Sequence, residues 1–236
     1  MRESAHRYRN CRIGEKQPSD PRERARIKNM ASSVTEHIDQ SEDLILWLDS
    51  FIVGLSVPTN DRTVIVAACQ DVALEHHKSI VLTTREQFYG SAFALIRLQF
   101  EAYVRGQWLR YCASDDELAT FKERDKLDKK FGEIIGDLES HEAFDEGVLS
   151  NIKVESWRAM NSFTHTGLLQ VIRRISTTEI GSNYPEEEII GTLDFADSMA
   201  LLAALAIVNV TIGEEADREA LAEQLLERRK EFAVNN

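Results

Sequence analysis

The chain has 236 residues, enough for one large domain with a substantial core, and 43% of them are hydrophobic. Only 11 Gly and 4 Pro interrupt it, which argues against a turn-rich β architecture and predicts an all-α fold. A formal charge of −12 weighs against a broad nucleic-acid or membrane surface, because phosphates are repelled at long range.

Residues 1–30 depart from this balance. They hold nine Lys/Arg against four Asp/Glu, a local +5, while the remainder holds nineteen against thirty-six, a local −17. With Pro18, Pro21 and almost no large aliphatic side chains, they predict a flexible basic tail ahead of a helical domain over 31–236. Met30-Ala31-Ser32-Ser33 has the form of a natural translation start.

Ser33-Val34-Thr35-Glu36 has capping-box form and predicts a helix through Leu44, Trp47, Leu48 and Phe51, ended by Val57-Pro58. Asp61 begins a second helix to about Leu82. Thr84-Arg85-Glu86-Gln87 predicts another start, followed by an apolar helix to about Cys112. Ser114-Asp115-Asp116-Glu117 caps a charged pair of helices reaching His141. The next helix runs from about Gly147 to His165, with Gly167 placed to let the backbone turn. After a looser stretch, Tyr184-Pro185-Glu186-Glu187-Glu188 starts a core rod to Val210, since proline suits a first turn and carboxylates suit the positive helix end. Gly213 separates it from a final helix over 214–232. Seven or eight helices result.

Cys11, Cys69 and Cys112 lack metal or redox spacing and predict reduced thiols. The most apolar run, Met199 to Val210, is shorter than a bilayer span, so the expected location is the cytoplasm, away from membranes.

Two constellations carry candidate chemistry. Arg97, Glu101 and Arg105 recur every four residues and share a helix stripe, either as a structural ion triad or with Glu101 orienting Arg97 or a histidine beside a cleft. In Trp157-Arg158-Ala159-Met160-Asn161-Ser162-Phe163-Thr164-His165-Thr166-Gly167, Arg158 and His165 fall within about 20° of one helix face and about 10 Å apart along the axis, with Asn161 between them. A guanidinium, an amide and an imidazole on one face suit a phosphodiester, and they also suit a polar stripe on a packed helix. Asp71, Glu75, His76 and His77 gather within two turns, but the paired Glu-x-x-His motifs of a bundle metal site are missing, so a solvated face is expected with no metal and no cofactor. Trp47, Trp108 and Trp157 read as core anchors.

The Arg158-x6-His165 spacing at the end of a helix, in an all-helical chain, resembles the Arg-x(4–6)-His signature of the HEPN superfamily. The stretch Arg97 to Arg105, taken with Asn161-Ser162-Phe163-Thr164-His165-Thr166-Gly167, is also similar to bacterial HEPN-like families. The resemblance covers roughly residues 80–175. It implies a metal-independent endoribonuclease, usually dimeric, of toxin–antitoxin or phage-defence systems. By the resemblance, Arg158 stabilises charge on the phosphorane and His165 moves a proton, with Asn161 and Glu101 as orienters and Arg97 and Arg105 as substrate-binding cations. The implied partners are a second copy of the chain, RNA and an antitoxin or other protein. The competing reading is a non-catalytic helical module for dimerisation or protein interaction.

Overall fold

Long stretches free of Gly and Pro become long helices. The computed structural model describes residues 11–12, 21–145, 147–176 and 179–235. Among the described residues the chain forms α1 (Pro21–Ile52), α2 (Asp61–Arg85), α3 (Tyr89–Tyr111), α4 (Asp115–Arg124), α5 (Phe131–Glu139), α6 (Val148–Thr164), α7 (Leu168–Ile172), α8 (Glu186–Val208) and α9 (Glu215–Asn235). A minimal antiparallel ladder joins β1 (Cys11–Arg12) to β2 (Glu179–Ile180). The fold is all-α, as composition predicts.

Two predicted helix starts prove to lie inside helices. α1 begins at Pro21, a residue whose fixed φ and missing N–H suit a first helical position, so Ser33-Val34-Thr35-Glu36 is internal. Residues 21–30 thus belong to α1 rather than to a tail, while 1–10 and 13–20 lie outside the described residues. Thr84 is buried within α2, and the break comes at Glu86 to Phe88. There Gln87 takes a left-handed φ of 62°, and the Phe88 N–H reaches back to the Thr83 carbonyl at 2.7 Å. The Ser114–Glu117 capping box forms as predicted and opens α4. Pro185 stands at the N-cap of α8, with Glu186, Glu187 and Glu188 in its first turn.

α3 is the centre of the bundle, packed on α2, α5, α6 and α8. Phe100, Val104, Trp108 and Leu109 are its buried side chains of largest consequence. Its closest approach is to α2, where a Cβ on Gly106 would meet the Gln70 amide nitrogen at 2.2 Å and the Cys69 Cβ at 2.9 Å, so only glycine fits. α8 lies close to its neighbours for a related reason: Ala196, Ala200 and Ala203 follow i, i+4, i+7 spacing and are fully buried. By composition α8 is long and apolar enough to cross a membrane, but 61% of its most apolar window is buried in the bundle. Arg62 of α2 ties the carboxyl end of α3 to α4. Its guanidinium donates to the carbonyls of Leu109 and Ala113, which lack helical partners, and pairs with Asp115.

Candidate functional site

The i, i+4 register of α3 sets the first half of the site. Arg97 Nε donates to Glu101 Oε1 at 2.7 Å, and Arg105 Nη2 donates to Glu101 Oε2 at 2.7 Å, so one carboxylate bridges two cations. The Glu101 side chain is only 11% exposed, whereas that of Arg105 is 44% exposed. Two guanidiniums against one carboxylate leave a local positive surplus on an acidic protein.

α6 supplies the second half. Arg97 Nη1 donates to His165 Nε2 at 2.8 Å. A guanidinium has donors only, so Nε2 is the acceptor, and the neutral ring carries its proton on Nδ1. The Arg97 guanidinium also lies 4.7 Å over the ring of Trp157, which stacks on Phe131 with centroids 4.9 Å apart and planes 12° apart. Arg97 is therefore held from three sides: by a carboxylate, an indole face and an imidazole.

His165 owes its place to the way α6 ends. It is the C-cap residue, its N–H bonded to the Asn161 carbonyl. Thr166 then takes φ 55°, and the Gly167 N–H returns to the Ser162 carbonyl at 2.6 Å, the long-range bond of a Schellman turn. The left-handed residue is thus Thr166, not Gly167. Gly167 is required because a Cβ there would meet Ser162 Cα at 2.9 Å and Oγ at 2.5 Å. Ser162 Oγ also accepts the Leu169 N–H at 3.0 Å, fixing the start of α7. A β-branched residue at positive φ is strained, and here the strain sits one residue from the imidazole.

The structure brings Glu101, Arg97, Arg105 and His165 together. Arg158 and Asn161 stand apart: Arg158 is exposed and makes no hydrogen bond or ion pair among the described residues, and the Asn161 side chain makes none either. By helix geometry Arg158 shares its side of α6 with His165, about 20° away. The cation in contact with the histidine is Arg97, contributed by another helix. Trp157, read from the sequence as a core anchor, is instead half-buried and forms the shelf beneath Arg97. Its signal in the sequence is its place beside Arg158, two turns before His165.

A family model matches residues 70–232. The chain belongs to DUF6988, a family of unknown function. The DUF6988 match begins inside α2, so it leaves out α1 and takes in Arg97, Glu101, Arg105, Trp157 and His165. No curated protein and no solved structure matches the chain.

The other predicted polar face behaves differently. His77 is not on a solvated face: it is buried, with Nε2 2.6 Å from Asp197 Oδ1, and Ser41 donates to the other Asp197 oxygen at 2.8 Å. This cluster ties α1, α2 and α8 together. Its sealed position and the pairing of serine with aspartate rather than histidine leave no nucleophile. Asp71 and Glu75 point to solvent, and burial pushes the His76 imidazole below its ordinary value. No group of three or more His, Cys, Asp or Glu placed to hold a metal occurs among the described residues. Burial raises the Cys69 and Cys112 thiols, which disfavours the reactive thiolate.

Proposed function

We propose that the chain is a HEPN-like bacterial protein of the cytoplasm that cleaves RNA without metal, in a toxin–antitoxin or phage-defence setting. The observation that carries the reading is the 2.8 Å contact of Arg97 with His165, braced by Glu101 and Trp157. It supplies a cation for a phosphate oxygen and a proton acceptor beside it. In the proposed reaction substrate phosphate draws Arg97 off His165, the freed Nε2 takes the proton of a ribose 2′-hydroxyl, and the 2′-oxygen attacks the adjacent phosphorus. The bond to the 5′-oxygen breaks, and that oxygen takes a proton from water while His165 returns its own to solvent, giving a 2′,3′-cyclic phosphate and a 5′-hydroxyl. Arg97 stabilises the charge that develops on the phosphorane, and Arg105 extends the positive strip along the substrate. Arg158 faces the same side of α6, and a second copy of the chain is the simplest way to bring it against the same phosphate.

A second reading rests on a different observation. Val154 and Leu168 are 82% and 72% exposed beside this site. Large apolar side chains in that position favour an interaction module, binding a second copy or a protein partner, with no catalysis.

The two are separated by incubating single-stranded RNA with the protein in chelator. Cleavage to a cyclic phosphate is expected, abolished by His165→Ala and reduced by about 10²–10³ in Arg97→Ala, as for a lost oxyanion donor. No cleavage of any of several RNAs, or cleavage that survives His165→Ala, favours the interaction module.

A further inference from the structure

α3, α6, α7 and α8 do not close completely over one another. Between them lies a cavity of about 320 Å³ whose walls include Phe93, Phe163, Phe195, Ile96 and Met160. Neither Arg97 nor His165 lines it, so it is separate from the site proposed for RNA.

Three features define what fits. The first is Gly191 of α8, an exposed residue at the rim of the cavity. Glycine is a poorer helix former than alanine, and a Cβ added here would meet nothing within 4 Å, so no close packing accounts for the missing side chain. What glycine preserves at this position is an open mouth to the cavity. Ala159 keeps the α6 wall similarly small.

The second is charge. Arg173 and Glu188 line the cavity as a two-bond pair, with Arg173 Nε 2.9 Å from Glu188 Oε2. Each cancels the other, so a charged ligand would have to break the pair to be neutralised. The third is a hydroxyl with its donor free: Ser156 lines the cavity and makes no hydrogen bond among the described residues, whereas the Thr192 hydroxyl, also in the wall, donates to the Glu188 carbonyl at 2.7 Å.

Size completes the description. An apolar cavity of about 150 Å³ lined by Leu, Ile and Phe stays dry and accepts one benzene ring. This cavity has about twice that volume, is walled by three phenyl rings and falls within the range of small-molecule sites. We infer that it binds a neutral two-ring aromatic molecule carrying one hydrogen-bonding group, which Ser156 engages.

The test is a titration of the full chain with 1-naphthylamine, a neutral two-ring probe whose emission shifts to the blue in apolar surroundings. Saturable binding of one molecule per chain is expected. Gly191→Leu blocks the mouth and should weaken binding by at least about tenfold while far-UV circular dichroism and melting are retained. Ala159→Leu plugs the cavity from α6 and serves if the first variant does not fold. 2-Naphthol should displace the probe, and octanoate at the same concentration should not. Non-saturable emission, undiminished affinity in folded plugged variants, or stronger displacement by octanoate overturns the inference. All of these readings are independent of RNA cleavage.

Discussion

His77 and His165 each contact a charged side chain, yet their surroundings are opposite in burial and in sign. His77 is 1% exposed and faces the carboxylate of Asp197, itself 5% exposed, whose second oxygen is taken by Ser41. His165 is exposed at a helix end and faces a cation, Arg97, whose carboxylate partner Glu101 is shared with Arg105. The first arrangement has both carboxylate oxygens hydrogen-bonded and is sealed, so it acts as a strut between three helices. The second keeps a positive surplus and a solvent-facing ring, which suits an anion and proton exchange. A histidine's neighbours, rather than its presence, separate a structural role from a chemical one.

The difference is sharpest when each carboxylate is removed. Asp197→Ala leaves His77 and Ser41 without their partner in a place water does not reach, and should destabilise the fold by about 3–5 kcal/mol in urea denaturation. A loss below about 1 kcal/mol would mean that the cluster is hydrated and the contrast is false. Glu101→Ala should cost less, about 1.5–3 kcal/mol, because it removes two charge-assisted bonds but the freed Arg105 already reaches solvent. An equal or larger loss than for Asp197→Ala would place the α3 stripe among structural struts.

Much of this contrast was illegible in the sequence. The Arg97–Glu101–Arg105 stripe is local, set by i, i+4 spacing on one helix, and so were the Ser114–Glu117 box and both ends of α6. The contacts that decide function are not local. Asp197 lies 120 residues from His77, and His165 lies 68 from Arg97, so no periodicity could pair them. His77 was misread as solvated because Asp71, Glu75 and His76 surround it in sequence, although it points to the side of α2 that faces α8. Two helix starts were misplaced because Ser33 and Thr84 carry capping chemistry inside helices that tertiary packing prolongs. Gly167 marks the turn in the sequence, but the left-handed residue is Thr166, because packing against Ser162 reserves glycine for the position after it.

The strain at Thr166 yields a smaller effect of opposite direction. A non-glycine residue held at positive φ stores about 1–3 kcal/mol, offset by the greater entropy glycine loses on folding. Thr166→Gly should therefore raise stability by about 1 kcal/mol in the same urea assay. No gain would show that Thr166 is comfortable and that the helix end beside His165 stores nothing.

The smallest effect concerns pH near the buried strut. Burial raises the Asp194 carboxyl above its ordinary value, with His37 opposing and Asp197 reinforcing the shift. A raised folded value means that its contribution is fully present below the ordinary 3.8 and is lost as pH rises through the raised value. Asp194→Asn should accordingly increase the melting temperature slightly at neutral pH and leave it unchanged near pH 3. A gain that persists at pH 3 would point to packing instead of charge.

The contact between Arg97 and His165 also joins two parts of the protein with different lifetimes. α3 is enclosed by four helices, so its amides open only when the bundle itself does, whereas the last turn of α6 is a helix end held by the Ser162 turn and α7. Fraying of that end moves the imbalance of charge without disturbing the bundle: Arg97 keeps Glu101 and its indole shelf while His165 swings away. The protein can thus break and remake the contact many times for each global unfolding, on the timescale of a helix terminus rather than of a fold.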